Sequence, residues 1–170
     1  CACIRLAVPY TGMIISTRES PAVREKVIRL GISQISGASR TSVGGYVEPE
    51  PEEDSTNQFY VSDQRTLDEV VNWLMRDGFI PSFCTACYRK GRTGDRFMSI
   101  CKKGEIQNCC HPNALMTLKE YLEDYASPET KELGNALITR ELDNISNAGI
   151  REITLRNLKS IEQGQRDFRF

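Results

Sequence analysis

No charge of one sign dominates this chain. Its 170 residues carry 22 Lys and Arg against 23 Asp and Glu, for a formal net charge of −1. So balanced a surface supplies no bulk field to recruit nucleic acid or a membrane. Long apolar runs are missing too. The hydrophobic share is 39%, and no run approaches the roughly 18 residues a membrane span needs. No signal-peptide pattern is present, and the first residue is Cys1 rather than methionine, which reads as a fragment. Histidine occurs once. His111 sits between Cys110 and Pro112, where it helps turn the chain toward the next helix and stays outside the ligand set.

What is present instead is cysteine. Seven is an odd count in a chain without an export signal, and Cys84-x-x-Cys87 favours a metal site over a disulfide framework in a reducing, cytoplasmic compartment. Two thiols separated by two residues can face one point at the turn of a loop. Cys101, Cys109 and Cys110 follow Cys87 at x13, x21 and x22. This spacing leaves the metal open. Four thiolates would close on a structural zinc ion. Three on a 4Fe–4S cube would leave one iron without a cysteine. The pattern leans toward the cluster, because a zinc ribbon repeats C-x-x-C where this chain has an adjacent Cys-Cys. Tyr88, Arg89, Lys90, Arg92 and Arg96 in the same loop also suit an anionic cluster or ligand, their plain alternative being a solvated basic loop.

Read in order, the first part looks α/β. Ile4, Leu6 and Val8 alternate as in a short strand, Met13–Thr17 is a second, and Ile32–Ser36 a third. Between them Ser20 caps and Pro21 starts a helix with Val23, Val27, Ile28 and Leu30 on one stripe, closed by Gly31. Strand, helix, strand at this length is a βα unit with parallel pairing. The chemistry of such units lies in loops at the carboxyl ends of strands. Here those loops carry Ser16 with Arg18, and Ser36 with Arg40, which suit a carboxylate, a phosphate or a zwitterion.

Residues 48–58, rich in Glu and Pro, read as a solvated linker dividing a first domain (1–47) from a second (59–170). The second is helical. Thr66-x-x-Glu69 is a capping box for a helix through Met75 that ends at Gly78. Residues 98–104 form a helical turn or two. Asn113 caps a helix through Tyr125, Ser127-Pro128 opens another with Leu133, Leu137 and Ile138, and a last helix spans about Arg151 to Gln163.

Cys84-Thr85-Ala86-Cys87-Tyr88-Arg89-Lys90-Gly91-Arg92-Thr93-Gly94-Asp95-Arg96-Phe97-Met98, with Cys110 at x22 and Asn113–Leu122 after it, resembles the C-terminal region of the radical S-adenosylmethionine tyrosine lyases that mature FeFe-hydrogenase. Leu6–Gly12, Ser16–Ser20 and Gly37–Thr41 resemble the last strands of their barrel, shared with biotin synthase and the thiazole-forming tyrosine lyase. The cysteine motif is the part specific to the maturases. The resemblance implies the last strands of a (β/α)8 radical SAM barrel, followed by a mostly helical domain. It implies Cys84, Cys87 and Cys110 as ligands of an auxiliary 4Fe–4S cluster with an additional iron. It also implies Arg18, with Ser16 beside it, as the holder of the tyrosine carboxylate. In that family tyrosine is cleaved to p-cresol and dehydroglycine, and the fragment yields carbon monoxide and cyanide for an iron–carbonyl–cyanide unit passed to other maturation proteins. The chain departs from the family in having no C-x-x-x-C-x-x-C, the motif for the cluster that binds S-adenosylmethionine. The expectation is a polypeptide that does not cleave tyrosine alone, and an unpaired or partner-seeking strand edge at Cys1–Val8. The competing expectation is a structural zinc-binding interaction module.

Overall fold

The computed structural model describes residues 1–42, 45–47 and 59–170. The acidic linker expected at 48–58 lies outside the described residues. The chain forms two compact units, Cys1–Val70 and Val71–Phe170.

In the first unit, β1 (Ile14–Ile15) pairs in parallel with β2 (Gln34–Ile35), Ile14 opposite Gln34 and Ile15 opposite Ile35. The pairing is extended by the N–H groups of Ser33 and Gln34, each donating to the Met13 carbonyl at 3.0 Å, and by Ser36 N–H to the Ile15 carbonyl at 3.0 Å. The crossover is the expected helix, α2 (Pro21–Ile28), with the Ser20 hydroxyl accepting from Val23 N–H and Pro21 in the first turn. Proline suits that position because its missing N–H would have had no partner there.

The strand expected at Cys1–Val8 is instead a helix, α1 (Ala2–Ala7). Among the described residues no third strand pairs with β1 or β2. A strand without a neighbour leaves its amides unsatisfied, whereas a helical turn satisfies them locally. Arg5 N–H donates to the Cys1 carbonyl at 3.0 Å and Val8 N–H to that of Ile4 at 2.8 Å. The Arg5 guanidinium then pins this helix to the turn after α2, donating to the Gly31 carbonyl at 3.1 Å through Nε and to Thr11 at 2.9 Å. Gly31 has φ +94°, a left-handed conformation that favours glycine, and a Cβ there would push aside Arg5 Nε at 2.8 Å. The strand edge is therefore absent, but the apolar exposure expected there is real: Leu6 is 83% exposed.

Helix α3 (Leu67–Arg76) begins with the expected capping box, Thr66 N–H donating to Glu69 Oε2 at 2.7 Å and Glu69 N–H to Thr66 Oγ1 at 3.2 Å. The second unit continues with α4 (Ala86–Arg89), α5 (Gly94–Lys102), α6 (Gln107–Asp124), α7 (Pro128–Leu142) and α8 (Ala148–Glu162). Helix α6 is the central element and packs on both α7 and α8. Leu115, Met116, Leu118 and Leu122 of α6 meet Leu137 and Ile138 of α7, Leu158 and Ile161 of α8, and Val71 and Met75 of α3 in one buried cluster. Gly134 lets α7 approach α6 closely, since a Cβ there would lie 2.4 Å from Leu122 Cδ1.

Asn113 does not cap α6. The helix starts six residues earlier, at Gln107, and runs through Pro112. Proline's fixed φ is helical, so what Pro112 removes is one backbone bond. Asn113 is buried at 2% exposure, and its Oδ1 accepts from Phe170 N–H at 2.9 Å, anchoring the segment after α8.

Candidate metal centre

The cysteine loop is built on α6. Thr117 Oγ1, facing out from that helix, accepts from Phe83 N–H at 3.2 Å, and the Phe83 ring stacks on Tyr121 at 5.0 Å. This holds the chain just before Cys84. Ala86 is 2% exposed and starts the single turn α4, its N–H pointing at Cys84 Sγ at 3.4 Å. Cys87 lies in that turn. Cys101 is in the last turn of α5, and Cys109 and Cys110 are in the first turn of α6.

These positions converge. The Cys110 thiol is pushed up to about 11, by burial first and then by the neighbouring thiols of Cys87, Cys84, Cys109 and Cys101. Cys110 keeps accessible surface, yet the protein packed around it makes desolvation the larger cause. Burial, and then Cys87, also raises the Cys101 thiol. All seven cysteines are free. Among the described residues no three Cys, His, Asp or Glu side chains are grouped around a point as ligands of one ion. A zinc ion with Zn–S bonds of about 2.3 Å requires that grouping. A 4Fe–4S cube takes its thiolates one to an iron, and Cys84, Cys87 and Cys110 supply three such donors.

Of the five polar side chains expected to serve this loop, one is buried. Arg92 is 9% exposed, donates through Nη1 to Cys109 Sγ at 3.2 Å and through Nη2 to the Phe170 carbonyl at 2.6 Å. It lines a cavity of about 320 Å³ with Cys87, Tyr88, Thr93, Gly94 and Phe97. Arg89 instead pairs with Asp167, and Tyr88, Lys90 and Arg96 face solvent. His111 Nε2 lies 3.5 Å from Glu141 Oε2 on α7.

In the first unit, Ser16 and Arg18 lie in the turn after β1, both exposed. Arg18 N–H donates to Ser16 Oγ at 3.2 Å, and its guanidinium sits 3.9 Å over the Phe59 ring. Nothing in the sequence pattern singled out Arg24, which is fully buried and bonded to Asp63 and to the Ser36 carbonyl. Its only signal was a cation in α2 with a carboxylate far along the chain.

The Biotin and Thiamin Synthesis associated domain family matches residues 1–80. The 2-iminoacetate synthases of Escherichia coli K12 and Salmonella typhimurium LT2 are each 40% identical over 77 residues, 45% of this chain and 20% of theirs. The crystal structure of HydG, a maturase of FeFe-hydrogenase, superposes with a TM-score of 0.91 at 53% identity, covering 98% of this chain. The chain corresponds to the C-terminal region of HydG. HydG from Carboxydothermus hydrogenoformans aligns with a TM-score of 0.65 at 36% identity over 91% of this chain. The chain spans only 36% and 31% of those two HydG chains. The architecture is thus that of the HydG C-terminal region, the last strands of a radical SAM barrel followed by helices. Among the described residues no helix is long and apolar enough to cross a membrane.

Proposed function

We propose that this chain is the C-terminal part of a tyrosine lyase of FeFe-hydrogenase maturation, and that it carries an auxiliary 4Fe–4S cluster on Cys84, Cys87 and Cys110. The observation that carries the reading is that the buried Arg92 joins the two cysteine segments, its N–H bonding the Cys87 carbonyl at 2.8 Å and its Nη1–H the Sγ of Cys109, next to Cys110, at 3.2 Å. When bound there, such a cluster supplies an iron that no cysteine claims, with an additional iron attached, as the place where carbon monoxide and cyanide derived from tyrosine meet the metal. The three thiols bind as thiolates and release their protons. Arg92 offsets the negative charge they introduce. Arg18 and Ser16 present a guanidinium and a hydroxyl to the tyrosine carboxylate. The S-adenosylmethionine cluster belongs to the part of the enzyme that this sequence does not contain, so the chain by itself leaves tyrosine intact. The product passes to other maturation proteins in the cytoplasm, without nucleic acid or membrane.

Anaerobic reconstitution with iron and sulfide tests this. Broad visible absorption, with iron and sulfide in equal amounts and lost when Cys84, Cys87 and Cys110 are all replaced by Ser, is the expected result. A colourless protein that retains zinc and refuses iron establishes the structural zinc module instead.

A further inference from the structure

Arg92 reaches three separate parts of the second unit. Its own N–H donates to the Cys87 carbonyl at 2.8 Å, closing the loop after α4. Its Nη1–H donates to Cys109 Sγ at 3.2 Å, next to Cys110 at the start of α6. Its Nη2–H donates to the Phe170 carbonyl at 2.6 Å, and Phe170 N–H in turn donates to Asn113 Oδ1 at 2.9 Å, one turn beyond Cys110. The third guanidinium donor, Nε–H, is buried and has no partner among the described residues. A buried donor without an acceptor is unfavourable and asks for one. Arg92 lines the cavity beside Cys87.

We propose that Arg92 is a positioning residue of the cysteine site, which compensates the charge of the bound cluster through Nε–H and locks residues 165–170 against the loop through Nη2–H. Occupation of the site and docking of that segment are then coupled through one side chain. The inference rests on the cluster reading for its first half only. Arginine suits the task because its planar fork holds several acceptors at once, whereas lysine offers a point charge. A cation bonded to a cluster sulfur stabilises the more negative, reduced state and so raises the reduction potential. The same segment is held by Asp167, which pairs with Arg89 and Arg169, and by Arg166, which pairs with Asp124 at 2.5 Å. Those contacts are more exposed than that of Arg92 and leave the cysteines untouched.

The test compares the full-length polypeptide with Arg92→Met, Arg92→Lys and the exposed control Lys90→Met. Two quantities are read: the midpoint potential of the reconstituted auxiliary cluster, and amide exchange in residues 165–170. Arg92→Met is expected to lower the potential and speed exchange about tenfold, Arg92→Lys to restore part of the potential but not the protection, and Lys90→Met to change neither. An Arg92→Met protein with unaltered potential and unaltered exchange overturns the proposal. Should Arg92→Met lose its helical circular dichroism, Arg92→Gln, which keeps donors and drops the charge, is read in its place by the same criteria. If the unaltered protein takes up no cluster, the cluster reading fails, and the exchange measurement alone decides whether Arg92 holds the segment.

Discussion

The guanidinium of Arg24 donates to the carboxylate of Asp63, and neither side chain keeps any accessible surface. Arg65 adds a second cation at 2.6 Å, Arg24 also bonds the Ser36 carbonyl after β2, and Asp63 N–H bonds the Thr17 carbonyl after β1 at 2.9 Å. One buried ion cluster thus ties together the ends of both strands, where Ser16 and Arg18 begin their turn. Removing one partner of a buried pair costs about 3–5 kcal/mol, because the other charge is left uncompensated. Asp63→Asn is therefore expected to unprotect the amides of Gln34 and Ser36, which donate to the Met13 and Ile15 carbonyls, in hydrogen exchange while the helices of the second unit keep their protection. Burial alone would raise the Asp63 carboxyl, but hydrogen bonds from Arg65 and the charges of Arg24 and Arg65 outweigh it and hold it below the usual carboxylate range. A carboxyl depressed in the folded state contributes stability that is full above its unfolded value and is lost as pH falls through the folded one. The exchange protection should fade only below about pH 4, and Asp63→Asn should remove that pH dependence.

The close approach of α6 and α7 at Gly134 gives a prediction of opposite character, since no charge is involved. A methyl there lies 2.4 Å from Leu122 Cδ1 and 2.7 Å from Cδ2, and Leu122 is 1% exposed. Alanine would gain up to about 1 kcal/mol of helix propensity, but overpacking a tight core costs about 1–3 kcal/mol. Gly134→Ala should lower the denaturant midpoint. In a Leu122→Ala background, where the clash is gone, the same substitution should become neutral or stabilising. An equal penalty in both backgrounds would refute the packing account.

The five converging cysteines separate into ligands and neighbours by a simple experiment. Replacing Cys84, Cys87 or Cys110 singly by Ser should abolish or strongly deplete bound iron. Replacing Cys101 should leave iron content near that of the unaltered protein, because the proposed ligand set of Cys84, Cys87 and Cys110 does not include it. Cys109→Ala keeps the iron as well but loses the acceptor of Arg92 Nη1, so its cluster should be bound less tightly and bleach faster under a chelator. Iron analysis and bleaching rates with a ferrous chelator read both effects.

Local chemistry explains what the sequence disclosed. The caps at Ser20, Thr66 and Ser127 act within four residues, and all three form. The C-x-x-C motif likewise fixes its own neighbourhood. Where the reading failed, the deciding partner was remote or missing. Ile4, Leu6 and Val8 alternate like a strand, but a strand is made by its neighbour, and none pairs there among the described residues. Asn113 has the chemistry of a cap, yet its acceptor is taken by Phe170, 57 positions along the chain. The same distance hides Arg24 and Asp63, whose exposure is 0% and 1%. Arg92 looked like its solvated neighbours Lys90 and Arg96, and only tertiary packing distinguishes it.

Arg18 offers the sharpest test of the substrate reading, because its surroundings divide its binding role from its placement. The guanidinium lies 3.9 Å over the Phe59 ring, and its own N–H bonds Ser16 Oγ at 3.2 Å. If Arg18 holds the tyrosine carboxylate with both prongs of its fork, Arg18→Lys in the full-length enzyme forfeits a bidentate charge-assisted pair of about 1.5–3 kcal/mol. That corresponds to a rise in KM for tyrosine of roughly ten- to a hundredfold. The reacting bond lies elsewhere, so kcat should fall far less, as expected for an interaction shared by the ground and transition states. Phe59→Leu removes only the ring under the cation, worth about 0.5–1 kcal/mol at an exposed site, and should raise KM two- to fivefold. A ligand without a carboxylate, such as tyramine, should bind equally to the unaltered and Arg18→Lys enzymes. Tyramine binding that falls in step with tyrosine binding would remove Arg18 from the carboxylate and leave it a structural role on Phe59.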